Sequence, residues 1–152
     1  PDATHAAAVK VGLRHVAGPI FFDFPGLDGL EWAQRIEFAK KWPAKLKEIG
    51  GPEVPIYLMP HSTYTDSPEH LSDVAKISKE LNARIHLHVS ETSNENKTVA
   101  DRYQKTPTQI CQETGILDSP TVFGHGVHLS DSDLDLAKTK TVSHTCLYHC
   151  RA

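Results

Sequence analysis

The stretch Arg84-Ile85-His86-Leu87-His88-Val89-Ser90-Glu91 constrains this chain more than any other. Ile85, Leu87 and Val89 alternate with His86 and His88, the period-two pattern of a β-strand with one aliphatic face. The two imidazoles therefore share the opposite face. A buried imidazole needs a donor, an acceptor or a metal at each ring nitrogen. Glu91 follows His88 by three residues, where the strand gives way to a loop that can bring its carboxylate back over the same site. Two readings fit these residues: a hydrogen-bonded histidine pair in a core, or a ligand to a water-activating metal with a proton-carrying carboxylate beside it.

The rest of the chain repeats the setting. Residues 5–10 have the pattern of a helix tail closing at Val11-Gly12, followed by an expected strand near 14–17 and a loop through Phe21-Phe22-Asp23-Phe24-Pro25-Gly26. A helix is expected over 30–49 with Leu30, Ala33, Ile36 and Ala39 on its apolar face. Pro43 should break or kink it near Trp42, and Gly50-Gly51-Pro52 ends it. A strand over 54–59 stops at Pro60-His61, and Ser67-Pro68 opens a helix lined by Leu71, Val74, Ala75, Ser78 and Leu81. After the strand at 84–89, residues 92–105 are a polar segment without assigned structure. Thr106 and Gln109 form a capping box for a helix that Gly115 closes. A strand over 121–124 leads to His125, Ser130 caps a further helix, and a last strand begins at 141–143 and ends at His144. Strand and helix alternate throughout, which predicts an α/β fold with a parallel sheet. His61, His88, His125 and His144 all fall at the C-terminal ends of expected strands, the edge where parallel α/β folds bind ligands.

Composition narrows the function. A chain of 152 residues with 39% hydrophobic and 23% charged residues suffices for one domain with a core. A net charge of −3 gives no basic footprint for nucleic acid. No stretch approaches a membrane-spanning helix, and Pro1-Asp2-Ala3-Thr4 lacks the basic and apolar regions of a secretory signal. The absence of an initiator methionine points to a natural start elsewhere. The three cysteines, Cys111, Cys146 and Cys150, form no disulfide framework, which favours a reducing, cytoplasmic setting. The glycosylation acceptor at Asn96-Lys97-Thr98 is then a chance match.

Taken in order, Pro60-His61-Ser62-Thr63-Tyr64-Thr65, His86-Leu87-His88-Val89-Ser90-Glu91-Thr92, Gly124-His125-Gly126-Val127-His128-Leu129 and Val142-Ser143-His144 resemble the amidohydrolase superfamily. The likeness is to its branch of cytosine deaminases, adenosine-type deaminases and chlorohydrolases, and runs from about Gly12 to His144. The resemblance implies a (β/α)8 barrel with one divalent metal, zinc or iron with zinc placed first, and a small heterocyclic substrate of purine, pyrimidine or triazine type. It implies hydrolytic deamination by a metal-bound hydroxide. His88 would be a metal ligand, Glu91 the proton shuttle, and His125 a contact to the attacking water or substrate. His61 and Arg14 would bind substrate, while His86 and His128 would be structural. A homo-oligomer is compatible with this.

The departures bear equally on the expectation. The family's first-strand His-x-His pair and eighth-strand aspartate have no counterpart here, and a full barrel needs roughly 250 residues. The whole of 1–152 is thus expected to be one partial catalytic barrel, from about the third strand to the seventh. Alternatives are an inactive fragment, or an amidohydrolase that opens a cyclic amide or removes chloride. His144, Cys146, His149 and Cys150 match no well-attested zinc finger spacing. Cys111 and the Trp32–Trp42 region are expected to be core.

Overall fold

The computed structural model describes residues 1–145. Strands β1 (Ile20–Phe21), β2 (Tyr57–Pro60), β3 (Arg84–Val89), β4 (Thr121–His125) and β5 (Val142–Thr145) form one sheet, each parallel to the next in chain order. Between them lie α2 (Trp32–Ile49), α3 (Pro68–Glu80), the pair α4 (Ser93–Tyr103) and α5 (Pro107–Glu113), and α6 (Asp131–Lys138); α1 (Asp2–Lys10) precedes β1. A doubly wound sheet reverses its strand order once, whereas a barrel wall never does. The unbroken order is that of an arc of a (β/α)8 barrel. Among the described residues no helix is long and apolar enough to cross a membrane.

Alternation along the strands decides which face the helices cover. Ile85, Leu87 and Val89 are buried with Phe21, Leu58, Phe123, Leu71, Val74, Ile77, Val99 and Ile110 in one core, whereas Arg84, His86 and His88 face the other way and are less buried. Burial of each leucine- or isoleucine-sized side chain contributes about 1.5–3 kcal/mol, so this aliphatic layer fixes the phase of every strand. A slip of one residue would turn the histidines into the core.

Three local expectations are corrected. No strand forms at 14–17. The carbonyl of Ala17 accepts from the Trp42 indole at 3.1 Å, Pro19 has no N–H to give, and pairing with β2 begins at Ile20. Gly18 lies so close to β2 that a Cβ there would sit 2.2 Å from the Tyr57 carbonyl oxygen. Of the break or kink expected at Pro43, the break does not occur: α2 runs through it to Ile49 with Trp42 fully buried. The inward face of α2 is Arg35, Ala39 and Trp42, with Ala33 exposed. Finally, the polar segment after Thr92 is the helix α4, capped by the Thr92 hydroxyl and buried only along Glu95 and Val99. His144, Cys146, His149 and Cys150, whose spacing matches no zinc finger, fall outside the described residues, apart from the backbone of β5.

Candidate active site

Three strand ends meet at one edge of the sheet. β2 ends beside His61, whose carbonyl oxygen accepts from the His88 backbone N–H at 2.9 Å and from His88 Nδ1 at 3.0 Å. A carbonyl only accepts, so Nδ1 carries a proton, and in the neutral ring Nε2 keeps its lone pair. A backbone acceptor on the far nitrogen is the second contact of an imidazole metal ligand, and His88 fits one position of a metal shell on that ground. Among the described residues, however, no group of three or more His, Cys, Asp or Glu side chains is gathered to hold an ion.

The neighbouring rings are in contact. Ring centroids of His61 and His88 lie 4.9 Å apart, those of His88 and His125 5.1 Å, and those of His86 and His88 6.3 Å. Gly124, opposite His88 in the ladder, makes the room: a Cβ there would meet His88 Cδ2 at 3.2 Å and His86 Nε2 at 3.3 Å. Glu91 Oε2 lies 3.6 Å from His125 Nε2. His61 has its Nδ1 within 3.0 Å of the Thr65 hydroxyl and its ring against Phe22 and Tyr64. Burial first, and then the neighbouring His88, hold the His61 pKa below the ordinary histidine value, with Glu91 pulling weakly the other way. Burial, then His88 and His125, likewise depress His86. Both rings therefore favour the neutral form.

Backbone geometry at this edge is unusual for the residues that adopt it. Ser90 (φ 52°) and His125 (φ 71°) both occupy the left-handed region, which disfavours side chains larger than glycine. The two turns hold each other: Gly126 N–H donates to the Val89 carbonyl and His128 N–H to the Ser90 carbonyl, both at 2.9 Å. His128 itself is exposed, and its carbonyl accepts from the Asn96 side chain at 2.8 Å.

Sequence reasoning and structure part company at three residues. Arg14 is not with the others. It is exposed beside Pro52, Glu53, Val54 and Pro55, on the segment that leads into β2, at the opposite end of the sheet from His61. The absence of a strand at 14–17 removes the premise that put it at a strand end. Two carboxylates were missed. Asp66, 1% exposed, accepts through Oδ2 from the His61 and Ser62 N–H groups at 3.1 and 3.3 Å. Burial pushes its pKa up to about 7. Glu95, 5% exposed, accepts from the Ser90 and Glu91 N–H groups. The spacing Thr92-x-x-Glu95 was the available signal, the same box pattern recognised at Thr106 and Gln109.

Known proteins of similar sequence and fold give the chain its family. The chain is 41% identical over 156 aligned residues to 5-methylthioadenosine/S-adenosylhomocysteine deaminase 2 of Archaeoglobus fulgidus, covering 98% of this chain and 35% of the relative. It is 30% identical over 142 residues to 5'-deoxyadenosine deaminase of Methanosphaera stadtmanae, covering 93% and 33%. The chain thus spans about a third of the length of these curated relatives. In fold it is similar to a zinc-bound adenosine deaminase from Xanthomonas campestris (TM-score 0.77, 21% identity, 94% of this chain and 32% of that one). It is similar also to a zinc complex of an atrazine chlorohydrolase from Arthrobacter aurescens (TM-score 0.80, 20% identity, 96% and 34%). The sequence model of the amidohydrolase family matches residues 2–152, and the chain belongs to that family.

Proposed function

We propose that the full-length protein carrying this chain is a metal-dependent hydrolytic deaminase of a nitrogen heterocycle, of which residues 1–152 supply part of the catalytic barrel. The observation that carries this reading is the convergence of His88, Glu91 and His125 at one strand edge, with His88 Nε2 left as a lone-pair donor and Glu91 3.6 Å from His125. The names of the two relatives make 6-aminopurine nucleosides the first substrates to test.

His88 would provide one metal ligand; in a protein of the relatives' length the others would come from segments this sequence does not contain. A divalent ion, zinc by likeness to the zinc-bound neighbours, would lower the pKa of water from about 15.7 toward 7 when bound. Glu91 would take the proton from water as its oxygen attacks the amino-bearing carbon, and pass that proton to the adjacent ring nitrogen. The hydroxyl proton would then move to the amino group, so that ammonia leaves and a carbonyl remains. His125 would donate a hydrogen bond to the oxygen on that carbon. His61, held neutral by its burial, would hydrogen-bond the substrate. The protein would act in the cytoplasm.

The test is Glu91→Gln in the full-length protein, assayed for ammonia and for chloride with purine, pyrimidine and triazine substrates. Turnover should fall about 10³-fold with metal content intact; retained turnover would remove Glu91 from the mechanism. One observation favours a second reading for the isolated chain. The described residues gather no three-ligand set, and three protein ligands are the usual minimum for a catalytic zinc, so the isolated chain is read as an inactive fragment of the barrel.

A further inference from the structure

The residue that carries the proton in the proposed reaction sits on an unusual turn, and Glu95 is the group beneath it. Glu95 lies in the first turn of α4, where its own N–H donates to the Thr92 hydroxyl at 3.1 Å. In an ordinary capping box its carboxylate would return the contact to the Thr92 N–H. It reaches further back instead. Oε1 accepts from the Ser90 N–H at 3.1 Å and Oε2 from the Glu91 N–H at 2.8 Å.

Both oxygens of one buried carboxylate are therefore spent on two consecutive amides, those of Ser90 and Glu91. Ser90 has φ 52°, a conformation that serine leaves unless something holds it. From the β4 side, Gly126 and His128 secure carbonyls of this turn. Glu95 secures the amides. Burial raises its pKa, the backbone N–H groups of Glu91, Ser90 and Thr92 act against the rise, and the charge of Glu91 adds to it.

From this geometry we infer that Glu95 is a positioning residue for Glu91: its carboxylate clamps the Ser90–Glu91 turn and so sets the approach of Glu91 to His125. The inference rests on the proposed role of Glu91. Neither relative's substrate enters it, since the clamp faces the backbone and not the pocket.

Glu95→Gln tests it in the full-length protein. The amide side chain keeps the size but sets an N–H₂ against one backbone N–H, so one of the two contacts is lost. With metal content unchanged, kcat should fall about 10- to 100-fold while KM stays within about twofold. In the metal-free protein, hydrogen exchange of the Ser90 and Glu91 amides should quicken at least about tenfold, with the core amides of β3 unaffected. Glu95→Ala, which keeps neither contact, should fall further. Should Glu95→Gln fail to fold, Glu95→Asp, too short to reach both amides, is measured in its place against the same expectations.

Normal kcat, or unchanged exchange at both amides, overturns the inference. So does a fall in kcat matched by equal loss of metal and of folded protein, which would make Glu95 merely structural. The parent reading fails separately: it is lost if Glu91→Gln turns over normally. A dead Glu91→Gln beside a normal Glu95→Gln removes the clamp alone.

Discussion

Replacing Gly124 by alanine adds one methyl group at the most crowded point of the site. On the present backbone it would lie 3.2 Å from His88 Cδ2, where carbon contacts settle at about 3.5–4.0 Å. Gly124 is paired on both sides, to His88 in β3 and to Thr145 in β5, so its backbone cannot retreat. The ring must move by roughly 0.3–0.8 Å. That displacement stretches the 3.0 Å contact from His88 Nδ1 to the His61 carbonyl to the limit of a hydrogen bond. The crowding itself should cost about 1–3 kcal/mol. Loss of the contact that orients a metal-ligating imidazole weakens binding about 10- to 100-fold. Chelator competition on the full-length protein measures the affinity, and urea unfolding the stability. Leu87→Ala is the control, since it opens a cavity on the opposite face of β3. It should cost about 2–5 kcal/mol while the folded protein binds metal as before. Unaltered affinity in Gly124→Ala, or an equal loss in Leu87→Ala, would refute the reasoning.

Two further outcomes follow from the same geometry. His88→Ala should abolish most metal occupancy in the full-length protein, measured by elemental analysis; wild-type occupancy would remove His88 from the shell. Asp66 makes a prediction about pH. Its folded pKa of about 7 exceeds the unfolded value, so between about pH 4 and 7 the folded state holds the extra proton and stability falls as pH rises. The stability of wild type relative to Asp66→Asn should therefore decline across that window and level off above about pH 7. Urea midpoints for both proteins at four pH values check it, and a difference that rises with pH would contradict it. Comparing the pair cancels the opposite contributions of His61 and His86, whose depressed pKa values add stability as pH climbs toward the ordinary histidine range.

What could be seen in the sequence was what a few adjacent residues decide between them. The alternation in β3 needs no distant partner to be recognised, and the same holds for the caps at Ser67, Thr106 and Ser130. Positions set by distant contacts were not legible. The apolar run of residues 13–24 carries no phase of its own, and β1 begins where Pro19 and the close approach of Gly18 to Tyr57 permit. Arg35 looks like a surface residue of α2, yet it is buried because Asp28 and the Ile20 carbonyl receive its guanidinium. In α4 only Glu95 and Val99 are buried, too narrow a stripe to show above the polar residues around it.

The buried carboxylates were hidden for another reason. A charged residue in a polar stretch is ordinarily solvated, and nothing in composition separates Asp66 and Glu95 from the chain's other acids. Position does. Asp66 follows His61 by five residues and Glu95 follows Glu91 by four, each where the chain passes from a strand end into the next helix. At that place a βα unit has a structural need. The ladder is giving out (the His61 N–H reaches the Phe21 carbonyl only at 3.3 Å), and the nearby helix N-terminus adds unpaired donors and positive potential. A carboxylate accepts from two such donors without setting a donor of its own against them, and the same field offsets part of the cost of burying it. In this fold an acid four or five residues beyond a strand-end histidine or glutamate is therefore a candidate to hold that residue's turn, and proximity in sequence is what makes the long reach unnecessary.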